Sequence, residues 1–374
     1  LGFLYSLSCI SAWRLTGNEA ARRSALLAAE RLMERFNPTA RIIQAWGDLN
    51  DPEQQGRMII DCNMNLPLLY WASEQTGDPR YAQAATAHAG QAANYIVRED
   101  ASTYHTYYMD VQTGEPRFGN THQGYSDTSC WSRGQAWGIY GFLLSYQHTG
   151  DKQMVELSRS LAHYFLNRLP EDDVCHWDLA LLGTDAVRDS SAAAIAACGL
   201  LELVKALPTL DANRAYYEEM ALRIALSLTD NYLAHDDDPT EGLLQHSVYH
   251  MGSGKGVDQC CSWGDYFYLE LLARLRVTQR RLLLIKTDTA QESPIFINGA
   301  LKIDYAAGCA YLDRAELHLT PIEYKLLCLL SKNVGKVLTH TYITQQIWGS
   351  SWENDIASLR VFMATLRKKL ERGK

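Results

Sequence analysis

Asp61 lies in the stretch RMIIDCNMNLPLLYWASEQTGD (57–78), which otherwise reads as apolar core. Met58, Ile59 and Ile60 precede it, and Leu66, Leu68, Leu69, Tyr70 and Trp71 follow. An ionised carboxylate withdrawn from water without a partner is costly and tends to take up a proton instead. On the residues alone, two readings stand open. Asp61 either reaches water or caps a helix, or it is a general acid at the mouth of a pocket.

Further groups suited to chemistry fall in IIQAWGD, TYHTYYMD, THQGYSDTSCWSRGQAWGIYGF and CCSWGDYFYLELL. Trp46, Trp131, Trp137 and Trp263 offer flat faces for the apolar side of a sugar ring. His105, His122, Gln123 and Gln135 offer polar groups for hydroxyls, and Arg133 offers a fork for a carboxylate. A single Trp or Tyr is more often core than ligand platform. Interleaved with Gly, His, Arg and Gln, however, these aromatics would make poor core packing, and the segments read as a carbohydrate site.

The elements that position them show a weak repeat. LTGNEAARRSALLAAERLMERF, QTGDPRYAQAATAHAGQAANYIV and HTGDKQMVELSRSLAHYFLNRL each open on Thr-Gly-Asn/Asp and continue with helical periodicity. Gly17, Gly77 and Gly150 suit the end of one helix, and Asn18, Asp78 and Asp151 suit the cap of the next. DANRAYYEEMALRIALSLTDNYL is expected to start at Asp211 by the same logic. Plain helices alternating with decorated ones describe a mainly α chain, an all-α toroid of helical hairpins. An α-solenoid fits the same periodicity.

The chain has 374 residues, enough for two domains, with 47% hydrophobic and 21% charged residues, as in soluble globular proteins. No apolar run reaches the length of a membrane span, and no signal peptide opens the sequence. Nine cysteines without a repeating spacing do not form a disulfide framework, and no CxxC pair with matching His implies zinc. A reducing, cytoplasmic setting is expected. Charge divides the chain: residues 281–374 carry a net +4 and residues 1–280 a net −12. Two unlike modules are expected, over residues 1–278 and 279–374, the second tolerant of a polyanion.

In order, GFLYSLS, IIQAWGD, RMIIDCNMNLPLLYWASEQTGDP, YHTYYMD, THQGYSDTSCWSRGQAWGIYGF, RDSSAAAIAACGLLEL and WGDYFYLELL resemble the unsaturated glucuronyl hydrolases of glycoside hydrolase family 88. The resemblance runs from Leu1 to about Leu275. It implies an (α/α)6 barrel acting after a polysaccharide lyase, on oligosaccharides that end in a 4,5-unsaturated uronic acid. In that family a vinyl ether is hydrated: an acid protonates C4, water adds at C5, and the hemiketal opens and expels the remaining sugar. The resemblance places Asp61 as general acid/base and Trp46, His105, His122, Gln123, Arg133 and Trp137 along the sugar subsites. Ser253 and Lys255, in HMGSGKG, resemble a Ser-x-Lys pattern that would hold a sulfate on the adjoining sugar. In the family a second functional Asp stands directly before the LGF motif. The sequence starts at Leu1, so that Asp and the first hairpins of the barrel are expected to be missing, an N-terminal truncation.

From Leu282 the character changes. IFINGALKIDYAAGCAYLDRAELHLT alternates apolar and polar residues, with hairpin signals at Asn298-Gly299 and Asp313-Arg314. Thr320, Pro321 and Glu323 form a capping-box start, and Gly335 breaks the helix that follows. The last helix carries Leu359, Phe362, Met363, Leu366 and Leu370 on one face. LTPIEYKLLCLL, NVGKVLTHTYITQQIWG and ASLRVFMATLRKKLE resemble the winged-helix effector domain of OmpR/PhoB-type response regulators, the potassium-transport regulators most of all. This resemblance implies a third helix in the major groove of DNA, with Arg360, Arg367 and Lys368 at phosphates or bases and Thr339 and Thr341 near the backbone. The closing C-terminal wing is expected to be absent. The favoured reading is a hydrolase of glycosaminoglycan fragments. The alternatives are a DNA-binding regulator with a sugar-binding domain, or two joined gene fragments. No metal or organic cofactor is implied.

Overall fold

The computed structural model describes residues 1–235, 240–289, 295–305, 307–313, 315–335, 338–348 and 353–371. The chain divides into two compact units, Leu1–Thr278 and Gln279–Lys374.

The first unit is built mainly from helices. A run of α1 (Gly2–Tyr5), a π turn (Ser6–Ile10) and α2 (Ser11–Thr16) is followed by α3 (Glu19–Met33). After a 3-10 turn (Ile60–Met64) come α4 (Leu66–Thr76) and α5 (Pro79–Gln91). Then follow α6 (Ser132–Thr149), α7 (Lys152–Leu166), α8 (Ser190–Ala206), α9 (Arg214–Asn231) and α10 (Ser262–Thr289). Two kinds of helix alternate. In α3, α5 and α7 only one stripe is buried, such as Ala25, Ala28, Ala29 and Leu32 of α3. In α6 and α8 nearly every side chain is buried, as expected for the inner helices of a layered helical fold.

The Thr-Gly-Asn/Asp signals operate as their chemistry requires. Gly17, Gly77 and Gly150 take left-handed φ values of 69°, 74° and 69°. Asn18 accepts from the amides of Ala20 and Ala21, Asp78 from Arg80 and Asp151 from Gln153. Asp211 departs from the pattern. Helix α9 begins three residues later, and Asp211 instead accepts from the Asn213 amide (2.9 Å) and pairs with Arg159 (2.6 Å). Pro208 accounts for this, because its carbonyl accepts from the Asp211 amide and closes a turn ahead of the helix.

Connections at one end are short, whereas the segments leading into α4, α6, α8 and α10 are long and carry the functional residues. They form small antiparallel sheets: β1 (Phe36–Asn37) with β2 (Ile42–Ile43), and β3 (Arg57–Ile59) with β4 (Thr106–Met109) and β5 (Pro116–Asn120). A hairpin of β6 (Ser247–His250) and β7 (Lys255–Gln259) precedes α10. Gly141 of α6 faces the 3-10 turn so closely that a β-carbon there would lie 2.5 Å from Cβ of Asn63. This close approach lets the Asp61-bearing turn lie against the inner helix.

In the second unit β8 (Ile295–Asn298), β9 (Leu301–Asp304), β10 (Cys309–Leu312) and β11 (Ala315–Glu316) form an antiparallel sheet. Gly299 makes the β8–β9 turn at φ 59°, and Asp313 is left-handed at φ 51°, while Arg314 lies outside the described residues. Three helices follow: α11 (Pro321–Ser331), α12 (His340–Trp348) and α13 (Glu353–Leu370). The Thr320–Glu323 capping box is formed. Leu359 and Leu366 of α13 are buried with Leu326, Leu327, Ile343 and Ile347, with Phe362, Met363 and Leu370 packed against them.

Candidate active site

Strand register brings the first two functional groups together. Ile59 pairs with Thr106, and the Ile60 amide donates to the His105 carbonyl (3.1 Å). Asp61 therefore leaves β3 beside His105, and the Asp61 Oδ2 to His105 Nε2 distance is 3.8 Å. Asp61 keeps 29% of its side chain exposed, yet its Oδ2 is buried and makes no hydrogen bond. Burial pushes its carboxyl pKa up to about 6, against the opposing charge of Arg133, its own backbone and the hydrogen bond from Trp137. Such a group is half protonated near pH 6 and keeps a protonated fraction of about one-tenth at neutrality, so it can serve as both acid and base.

His105 is held in one protonation state. Its Nδ1 accepts from the amides of His122 (3.0 Å) and Gln123 (3.1 Å), so the ring's single proton must sit on Nε2, facing Asp61. Burial, with the charges of His122, Arg133 and His250, lowers its pKa to about 3. His105 is thus a fixed neutral donor and has no role as a base at physiological pH. On α5, His88 is a second buried neutral imidazole, lowered by burial to about 4. Its Nδ1 accepts from the Ile43 amide (2.9 Å) and so anchors the segment that leads to Trp46.

Aromatic walls enclose the two groups. The Trp46 ring lies 6.0 Å from His105 and 5.1 Å from His122, with Arg57 stacked on it at 4.9 Å. Trp131 packs at 4.7 Å from His105, and His250 at 5.1 Å from His122. Trp137, one turn into α6, packs between Phe3 and Phe267. Gln123 donates to the Tyr249 carbonyl (2.6 Å), joining this wall to the β6–β7 hairpin. At the tip of that hairpin Ser253 and Lys255 are exposed, and Lys255 Nζ lies over the Tyr249 ring at 5.3 Å.

Arg133 is brought to the same place but is buried, with 3% of its surface exposed. It donates to Asp189 (2.9 Å), to the Tyr249 carbonyl (2.8 Å) and to the Val248 carbonyl. Gln135 stands apart from the site. It is fully buried and donates to the carbonyls of Ala101 and Leu161, because it lies on the face of α6 turned into the protein. Asp189 is the residue that sequence reasoning missed. Its one signal, an acidic residue before Ser-Ser-Ala, reads only as a helix cap. In the second unit Arg360, Arg367 and Lys368 are exposed on α13, and the Thr339 hydroxyl caps α12 through the Tyr342 amide (3.2 Å).

Inner and outer helices with a carboxyl, a locked imidazole and aromatic faces gathered at one end suit a carbohydrate-active enzyme. Residues 6–268 match the model of Glycosyl Hydrolase Family 88, and the chain belongs to that family. It is 47% identical over 275 residues to the unsaturated chondroitin disaccharide hydrolase of Streptococcus pyogenes serotype M1, covering 73% of this chain and 69% of that protein. The crystal structure of unsaturated glucuronyl hydrolase from Bacillus sp. GL1 superposes with a TM-score of 0.71 at 48% identity, covering 73% of each chain. Residues 314–374 match the model "Transcriptional regulatory protein, C terminal". Over 101 residues, 27% of this chain, they and their flank are 42% identical to the transcriptional regulatory protein KdpE of Staphylococcus aureus, of which they span 42%. Among the described residues no helix is long and apolar enough to cross a membrane.

The raised pKa of Asp61 has a thermodynamic consequence. Between its ordinary value of 3.8 and about 6 the folded state holds a proton that the unfolded state has lost, so this group's contribution to stability falls as pH rises through that window. Asp61→Asn is expected to stabilise the protein at pH 8 by on the order of 1–2 kcal/mol, allowing for its partial exposure. Urea unfolding at pH 8 and pH 3 checks this, with the difference expected to vanish at pH 3, below the ordinary value of 3.8.

Proposed function

We propose that residues 1–278 form a hydrolase that removes a 4,5-unsaturated uronic acid from the non-reducing end of glycosaminoglycan-derived oligosaccharides. Family membership and the activities named for the relatives support this reading. The observation that carries it is the Asp61 carboxyl, with a pKa near 6 and an unpaired oxygen facing a neutral imidazole donor. Ordinary glycoside hydrolysis sets two carboxyl groups about the anomeric carbon, whereas hydration of a vinyl ether needs one. Protonated Asp61 gives its proton to C4 as the double-bond electrons move, and positive charge develops at C5 next to the ring oxygen. The resulting carboxylate then takes a proton from the water that adds to C5. The hemiketal opens to a ketone at C5 and leaves a hemiacetal at C1, which collapses to an aldehyde and releases the aglycone as an alcohol, its own oxygen taking up the hemiacetal proton. Nothing is oxidised, and no cofactor is required by these steps.

Trp46 and Trp137 would flank the sugar, while His105 Nε2–H, His122 and Gln123 would meet its oxygens. Buried Arg133 acts through its charge from behind the wall. Ser253 and Lys255 would meet a sulfate on the adjoining sugar. An unsaturated chondroitin or hyaluronan disaccharide provides the test, because hydration abolishes its ultraviolet absorbance. Turnover is expected, with a loss on the order of a hundred- to ten-thousand-fold in Asp61→Asn. Unchanged turnover in that variant would contradict the assignment.

Residues 279–374 support a second reading, as a winged-helix DNA-binding domain. The supporting observation is the exposed row of Arg360, Arg367 and Lys368 on α13. Duplex DNA is expected to bind the chain with a salt dependence whose slope falls by about 0.9 for each phosphate contact removed by Ala at these positions. Salt titrations of parent and variants measure it, and equal slopes would oppose the reading.

A further inference from the structure

Asp189 is fully buried at the start of α8, 56 residues from Arg133 in sequence, and its carboxylate joins three parts of the site. Its Oδ2 accepts from Arg133 Nη1 at 2.9 Å. The other oxygen accepts from the Ser191 hydroxyl (2.5 Å) and from the amides of Ala192 (3.3 Å) and Val248 (3.4 Å). The beginnings of α6 and α8 and the β6–β7 hairpin are thus tied at one carboxylate. Arg133 in turn is flanked by the rings of Trp131 (4.6 Å) and Trp263 (5.3 Å). Trp131 also packs on His105, which faces Asp61.

We propose that Asp189 is a positioning residue for the reaction: it fixes the Arg133 guanidinium and balances its charge, and so sets how readily Asp61 gives up its proton. The proposal rests on the reading of Asp61 as general acid. Arg133 is the largest influence opposing burial at Asp61, and it also lowers His105. In a site withdrawn from water, an uncompensated cation acts strongly on a neighbouring carboxyl. Among the other ionisable groups nearby, the Leu1 ammonium stands beside Cys62. Cys62, next to Asp61, is pushed up to about 12, and Cys175 and Cys261, near Asp189, are also raised by burial, so all three thiols stay neutral. His105 is neutral as well, with His122 and His250 standing beyond it.

The sign of the effect separates this role from simple structural support. Losing the Asp189 charge leaves Arg133 uncompensated, so Asp61 becomes more acidic. Losing the Arg133 charge makes it less acidic. The experiment is a carbon-13 NMR titration of aspartate carboxyls in the full chain, with the Asp61 resonance assigned by its disappearance in Asp61→Asn. Asp189→Asn is expected to lower the Asp61 midpoint by about one pH unit or more, and Arg133→Met to raise it by a similar amount. Circular dichroism and melting curves show whether each variant is folded. If a single variant does not fold, the double variant Arg133→Met/Asp189→Asn leaves neither charge buried alone, and its Asp61 midpoint is expected above the parent's. Shifts in the same direction in both single variants, an unmoved midpoint, or a double variant titrating like the parent would overturn the proposal. No substrate is needed, so the result is independent of whether the disaccharide is turned over.

Discussion

Everything at this site depends on a carboxyl group held partly out of water without a cation bonded to it. Had Arg133 formed a direct ion pair with Asp61, the carboxyl would be strongly acidic and unable to protonate carbon near neutral pH. The structure instead bonds Arg133 to Asp189 and to two backbone carbonyls. The cation is near enough to be felt and engaged enough not to dominate. Burial therefore wins at Asp61, and the group is poised to give and to take a proton.

The fold supplies that poise through its layered helices. Short Gly-Asn/Asp connectors at one end leave the long connections for the other, where the starts of α4, α6, α8 and α10 bring four separate segments together. The packed inner helices give a rigid base: α6 contributes Arg133 and Trp137, and Asp189 caps α8. The small sheets then set register, which is why Asp61 and His105 meet although 44 residues separate them. His105 is fixed in turn by backbone amides, which cannot be protonated away or rotated out of line.

What the sequence showed was what local chemistry determines. Asn18, Asp78 and Asp151 were legible as caps because a cap needs only its own neighbours, and so was the Thr320–Glu323 box. The same rule failed at Asp211, where a turn at Pro208 displaced the helix start. Composition marked out the aromatic and polar segments of the site, but it could not separate Gln123, which faces the hairpin, from Gln135, which is buried in the fold. The tautomer of His105 and the Arg133–Asp189 bond were illegible for a different reason. Both arise from contacts between segments distant in sequence, and neither residue pair has a characteristic spacing.

The central claim is that this one carboxyl drives hydration of a double bond and that the glycosidic bond breaks afterwards. Turnover of an unsaturated disaccharide in heavy water, followed early by proton NMR, tests it most directly. The account predicts that the vinyl proton signal at C4 disappears as the sugars separate, and that C4 of the released acid carries one deuterium from the solvent. Release of an unsaturated monosaccharide that still shows its C4 vinyl proton would contradict it, because the glycosidic bond would then have been cut without the double bond being touched.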